Sequence, residues 1–369
     1  MAHIISPIWS MIERSLFPAV ELALEEPLTD ALKRVVSTLE IVRIEDHVPP
    51  SMQQILGRPM CNRACIARAF VAKAVLDIRT TNDLREMLCR DQALRRICGF
   101  ELKRSIPSKS TLSRAFTAFA QSGLGQRTHV ALTDTHVADK VVMHSSRDAT
   151  AIIAREKPNR KPAVKNTEKP PRQKPGPKRK GDPPRELTRL EKQRKQTAEE
   201  AFAELPVLCD FGVKKDSKGK RHHWVGYKEH IDWTDNGYPL NLKITSASVH
   251  DSQVAIPLAK YAASKWTILY ELMDAAYDTN DIIAAITELG HRPIIAISDR
   301  RTTAVPFDEP TERRYNMRSS AERGNARLKD EFGCRHVRVR GAPKVHLHVM
   351  FGVLALCADV LVKMATSTA

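Results

Sequence analysis

The chain has 369 residues, 42% of them apolar and 28% charged. That length suits two or three domains, and the composition excludes a disordered chain, a collagenous fibre and a disulfide miniprotein. Lys and Arg number 59 against 43 Asp and Glu, a net charge of +16, so a polyanion is the first partner to consider.

In chain order, Met1 to Val20 is apolar but interrupted by Glu13 and Arg14 and followed by no small-residue cleavage site, so no secretory signal is expected. Residues 1–130 read as helical. Ala31 to Ile44 and Arg68 to Ile78 are apolar-rich, and Leu84, Met87, Leu88 and Leu94 recur at helical spacing after a Thr81 cap. Pro107 and Ser108 open a helix whose Leu112, Phe116 and Phe119 form one apolar stripe, leaving Lys109, Ser110, Ser113, Arg114 and Thr117 on the remaining surface. Joined through Gly99, these helices suit either a helix-turn-helix-like unit with a DNA-facing polar side, using Lys109 and Arg114, or plain amphipathic packing.

Val141 to Ala154 reads as a strand. Lys157 to Arg185 follows with 11 basic residues, 2 acidic ones, 8 prolines and no aromatic, which is +9 of the total excess. Such a segment cannot bury enough to fold. It is a charged linker, through residues such as Lys178, Arg179 and Lys180 a follower of phosphates, or else a solvated spacer. Glu186 to Glu204 returns to helix-forming composition.

Val225, Tyr227, Ile231 and Trp233 alternate with polar residues, Asp235-Asn236-Gly237 supplies a turn, and Leu240, Leu242 and Ile244 alternate again, which predicts a hairpin. A helix over Asp251 to Ala263, a strand over Trp266 to Met273, a helix near Asn280 to Leu289, a strand over Pro293 to Ile297 and a helix over Arg314 to Phe332 complete a mixed α/β sheet with packed helices. The apolar run Leu347 to Val362 contains His348 and Asp359 and is shorter than the roughly 20 residues a bilayer requires, so no membrane span is expected. Seven cysteines without a CxxC pair read as reduced thiols of a cytoplasmic protein. His222 and His223 read as surface residues, and His250 and Asp251 as caps of the following helix.

Ligands collect outside the carboxyl ends of strands in α/β sheets. Asp274 ends the buried-type strand there, with a turn or N-cap aspartate as the alternative; Asp148 shares a strand face with Thr150 and Ile152, with Asp134 and Asp139 as rivals. Tyr315, Arg318, Glu322 and Lys329 are spaced so that one helix would carry all four within an arc of about 60°. A carboxylate for a hard cation, a guanidinium that forks onto phosphate and a neutralising ammonium suit a metal-dependent phosphodiester site. A solvated face with i, i+4 ion pairs has the same composition.

The tetrad, within Arg314-Tyr-Asn-Met-Arg-Ser-Ser-Ala-Glu-Arg-Gly-Asn-Ala-Arg-Leu-Lys329, resembles the Y-(2)-R-(3)-E-(6)-K signature of bacterial insertion-sequence transposases of the DDE type. Ser146 to Ile153 resembles the stretch bearing their first catalytic Asp, Leu272 to Asp278 the second, and Thr245 to Gln253 a segment between them; Leu94 to Phe100 and Ile106 to Phe116 resemble their helical DNA-binding region. The resemblance implies a ribonuclease-H-like catalytic domain over 131–369, interrupted by linker and helix at 156–205, behind a helical DNA-binding domain at 1–130. In it Asp148, Asp274 and Glu322 hold two Mg²⁺ or Mn²⁺ ions, while Tyr315, Arg318 and Lys329 position DNA ends. The implied partners are double-stranded DNA, as transposon ends and target, and a second copy in a dimer on DNA. Only 48 positions separate Asp274 from Glu322, too few for the long β-insertion of some relatives. A silent DNA-binding regulator and a metal-dependent nuclease without strand transfer are the competing functions.

Overall fold

A computed structural model describes residues 28–49, 61–137, 141–159, 186–215, 219–297 and 306–366. Lys178, Arg179 and Lys180, Asp139 and the first 20 residues lie outside them. The amino-terminal helices are α1 (Asp30–Val42), α2 (Arg63–Val75), α3 (Thr81–Arg90), α4 (Gln92–Ile97), α5 (Lys109–Gln121) and α6 (Leu124–Val137). Their starts are written locally. Thr80, one residue before the expected Thr81, caps α3: its hydroxyl accepts from Asp83 N and the Asp83 carboxylate accepts from Thr80 N, a reciprocal capping box. Ser108 caps α5 as expected.

The sheet follows: β1 (Val141–Ile153), short helices α7 (Arg189–Lys195) and α8 (Ala198–Ala203), β2 (Asp210–Lys215), β3 (Arg221–Trp233), β4 (Pro239–Ser246), α9 (Ser252–Ala263), β5 (Thr267–Met273), α10 (Asn280–Glu288) and β6 (Arg292–Ile295). Strand order is β2-β3-β1-β5-β6, with β4 also on β3. β3 is antiparallel to β1, β2 and β4, and β5 is parallel to β1 and β6. The β3–β4 hairpin is the predicted one, and Gly237 takes the left-handed conformation its turn needs, at φ +75°. Strand β2 has no counterpart in the sequence reading: its Phe211 and Val213 are exposed, and Gly212 between them is buried but has no side chain, so no apolar face announces it.

The single helix expected over Arg314 to Phe332 is two, α11 (Glu309–Asn316) and α12 (Ser319–Asp330). Between them Met317, Arg318, Ser320 and Ala321 each donate to the carbonyl three residues back, which is 3₁₀ winding. Helix α11 buries no residue, and Asn316, Ser319 and Ser320 are weak helix formers, so little holds the α-helical ladder through this stretch.

The last helix, α13 (Ala342–Thr366), has 25 residues, longer than the apolar run predicted, and by length and composition could cross a bilayer. It is instead a core helix, with 78% of its apolar window buried. Val345 through Leu361 are buried on nearly every side, against α1, α2, α5 and α6 and against β4 and α12. One apolar cluster therefore runs from Leu28 through Leu132 to Trp233, Phe332 and α13, joined by Phe70, Phe116 and Phe351 with ring centroids 5.0–6.0 Å apart. All seven cysteines are free thiols, and five are buried.

Candidate active site

The parallel register sets two acids side by side. Ser146 of β1 is level with Leu272 of β5, and two residues further along each chain stand Asp148 and Asp274, on the same face by the period of two. On its other side β1 pairs Asp148 with Ile231 of β3. The rival Asp134 is elsewhere, on α6 and 3.5 Å from Lys265. Asp274 also does what the alternative reading foresaw: its Oδ1 accepts from Ala276 N at 2.9 Å and caps a short 3₁₀ turn, Ala275–Tyr277.

Helix α12 carries Glu322 and packs across the sheet. It crosses the sheet so closely that a Cβ on Gly324 would lie 2.5 Å from Trp233 Cζ3; only glycine permits the approach. Asn325 then reaches the sheet, and its Nδ2 donates to Asp148 Oδ2 at 2.8 Å. Glu322, three residues earlier on the same helix, is exposed, and its Oε1 accepts from Arg318 Nη2 at 2.7 Å. Among the described residues no three acids stand close enough to share one metal ion.

Arg318 is the electrostatic centre of the group. Burial opposes its charge, but Tyr315, Glu322, Asp148 and Asp274 outweigh that and hold its affinity for the proton above the ordinary value. The 3₁₀ winding sets residues three apart in line, so Arg318 lies 5.7 Å over the Tyr315 ring. Burial pushes the Tyr315 hydroxyl up, helped by Asp274 and Glu322 and opposed by Arg318. Asp148 is raised, first by burial and further by Asp274, against the pull of Lys214 and Asn325. Burial, then Lys214 and Arg335, lower Lys329, which feels Asp148 in the opposite sense. Tyr315, Arg318 and Lys329 thus feel the strand acids, while Glu322 is held to them through Arg318.

Three features escaped the sequence reading. Asn325 shares a helix face with Glu322, a signal available from the spacing of three. Lys214 pairs in β2 with His222, nine residues along β3 from the partner of Asp148; a straight strand would hold the two about 30 Å apart. Lys214 nonetheless acts on Asp148, and Gly226, between them on β3 at φ +155°, has no room for a Cβ against Ile152 O. Behind Asp148, Arg147 is fully buried. Its guanidinium forks onto Asp232 at 2.7 and 3.0 Å and meets Glu271 Oε2 at 3.0 Å, and Glu271 Oε1 is 2.7 Å from His291 Nδ1. This network ties β1, β3 and β5 directly beneath the acids, and the two carboxylates keep Arg147 charged against the cost of burial.

Of the amino-terminal candidates, Arg114 lines an open cleft of about 890 Å³ with Arg63 and Arg104, whereas Lys109 faces a different cleft. His222 and His223 are exposed. Asp251 does not cap α9 with its side chain, which instead accepts from Lys228 Nζ at 2.8 Å; His250 Nδ1 takes the capping part, accepting from Ser252 N.

A family model described as a Transposase DDE domain matches residues 188–358, and one described as a Transposase domain matches residues 21–118. Asp274 and Glu322 fall inside the first match, and Asp148 precedes it. No curated protein and no solved structure gives a match.

Proposed function

Because the chain belongs to the DDE transposases of insertion sequences, we propose that it cuts the ends of a mobile element and joins the freed 3′-hydroxyl to target DNA. The observation that carries this reading is the facing pair Asp148 and Asp274 on adjacent parallel strands, with the helix of Glu322 packed across them. The sheet order β4-β3-β1-β5-β6, in which β3 alone runs against these other strands, supports a ribonuclease-H-like catalytic domain over 131–369.

The donor chemistry fits a hard divalent cation. Asp148 and Asp274 are oxygen donors whose mutual repulsion a cation would relieve, and Glu322 completes the set once it releases Arg318. Bound there, two Mg²⁺ or Mn²⁺ ions supply activation of an attacking oxygen and stabilisation of a leaving one. Asn325 holds Asp148 in a fixed rotamer. Arg318 and Lys329 take the non-bridging oxygens of the phosphate, Arg318 as a planar fork and Lys329 as a point charge. Tyr315 fixes the Arg318 plane from below. Water opens the phosphodiester at the element's end; the 3′-hydroxyl then attacks a target phosphodiester, one P–O bond forming as another breaks.

The helices of residues 1–130 recognise the end sequence, with Arg114 on its face and Lys109 on the neighbouring backbone. Lys178, Arg179 and Lys180 of the basic segment follow the backbone, and two copies, one per end, act together in the cytoplasm. Incubation of purified protein with Mg²⁺ and a duplex bearing the element's end tests this. Cutting followed by strand transfer is the expected result; cutting alone would make it a nuclease, and binding without cutting a regulator.

A further inference from the structure

Between the amino-terminal helices and the catalytic unit lies a cleft of about 290 Å³. Its two walls come from distant parts of the chain. Lys73 of α2, Arg79 before α3 and Lys109 of α5 form one side; Arg155, just past β1, and Arg338, between α12 and α13, form the other. No Asp or Glu lines it among the described residues. Its floor is the cluster of Phe70, Phe116 and Phe351 with His348, which donates to the Gly333 carbonyl, so no carboxylate in the lining neutralises the rim.

Five cations around one small opening repel one another unless an anion sits among them. Four are exposed, but Lys73 is only 9% exposed, and burial lowers its proton affinity to about 8 although Cys334, Asp77 and Asp83 act the other way. A buried ammonium facing a cleft is an expensive arrangement that a phosphate would offset. The first turn of α3 adds to the field, since Thr80, Thr81 and Asn82 line the same opening with the positive end of the helix dipole. Asp83 in that turn is engaged in the capping box.

The position also counts. Phe332 and Gly333 of the cleft follow Lys329 by three and four residues, and Lys329 feels both Asp148 and Arg335. A basic path therefore leads from the acids along the end of α12 to the cleft and on to the amino-terminal helices. On the reading of the chain as an enzyme of duplex DNA, we propose that this cleft grips the DNA backbone between the recognised sequence and the cut, with Lys73, Arg79, Lys109, Arg155 and Arg338 on its phosphates. It coordinates the two halves of the molecule through a contact that reads no bases.

The test is the salt dependence of duplex binding, followed by fluorescence anisotropy in EDTA, with one duplex bearing the element's end and one of scrambled sequence. Arg155→Ala and Arg338→Ala, both at exposed positions, are expected to make the slope of log K on log salt shallower by about 0.9 each and to weaken binding about eightfold each at 0.1 M salt. The loss is the same on both duplexes. Lys73→Met, which keeps the buried stem, moves both quantities the same way provided its unfolding curve stays cooperative. Unchanged slopes in variants of a protein that still cuts end DNA would overturn the cleft and leave the enzyme intact. A loss confined to the end sequence would also overturn it, as base readout. A wild-type chain that neither binds nor cuts would remove the enzyme and the cleft together.

Discussion

Replacing Gly324 with Ala tests whether the placement of α12 sets the site. The added Cβ would lie 2.5, 2.6 and 2.8 Å from three carbons of the Trp233 ring, against about 3.5–4.0 Å for ordinary carbon contact. Trp233 is fully buried on the central strand and cannot yield, so α12 must retreat by about 1 Å. The Asn325–Asp148 hydrogen bond, 2.8 Å long, would then open beyond bonding distance, and Glu322 would move with it. Overpacking costs about 1–3 kcal/mol, and the gain in helix propensity returns about 1 kcal/mol, so the fold survives. A displacement of 1 Å at a reacting centre costs on the order of 100-fold in rate. Gly125→Ala creates the same conflict, 2.5 Å from Met350 Cβ, but between α6 and α13, away from the acids. Strand nicking and urea unfolding measured on both variants should separate them: Gly324→Ala loses about two orders of magnitude in nicking, Gly125→Ala loses stability alone. Wild-type nicking by a folded Gly324→Ala protein would refute the reasoning.

Other expectations follow from the same geometry. Arg147→Met strands Asp232 and Glu271 without their cation in the core and should cost about 3–5 kcal/mol, read as a lower denaturant midpoint; an unchanged midpoint would mean the network bears no strain. His129 donates to the Pro239 carbonyl and His230 lies against Thr245, and burial lowers each to about 4. Because the unfolded chain binds these protons near 6.5, their stabilisation is complete above that pH and is lost as pH falls toward 4, by at most about 3 kcal/mol each. Urea midpoints that hold steady from pH 7 to 5 would contradict this. Glu322→Gln should abolish cutting yet move the unfolding midpoint by less than about 1 kcal/mol, since Glu322 itself is exposed and its ion pair, to the half-buried Arg318, faces solvent.

What the sequence told depended on whether a signal was local. The Ser108 cap, the Asn236-Gly237 turn and the alternation of β3 and β4 are decided within a few residues and formed where expected, while the α3 cap came one residue early and His250, not Asp251, caps α9. The register that sets Asp148 level with Asp274 is long-range, but both strands are apolar-rich runs that end in or pass through an acid, so their carboxyl ends could be located. Strand β2 could not be, because Phe211 and Val213 are exposed and the one buried position between them is Gly212, which has no side chain to signal it. The break at Met317 was hidden for the opposite reason: a charge-rich stretch satisfies helical spacing whether or not anything packs against it. The network of Arg147, Asp232 and Glu271 gave no sign, since each member alone reads as a surface charge on a strand.

That hidden break bears on how the acids come together. Had the helix run straight from Arg314 to Phe332, Tyr315, Arg318 and Glu322 would have formed a ridge with fixed spacing, and Arg318 would have pointed along the helix surface. The 3₁₀ joint lets Arg318 stack over Tyr315 and lean toward Asp148 and Asp274 as well as Glu322. Three carboxylates therefore compete for one guanidinium, and Glu322, the most exposed of them, makes the 2.7 Å contact. An exposed pair of this kind is worth under about 1 kcal/mol. On the proposed reading, its side chain would turn to the strand acids at little cost once a cation sat between them, and Arg318 would then be free for a phosphate. The tetrad would then act by an exchange of partners around Arg318 rather than as a row of independent contacts.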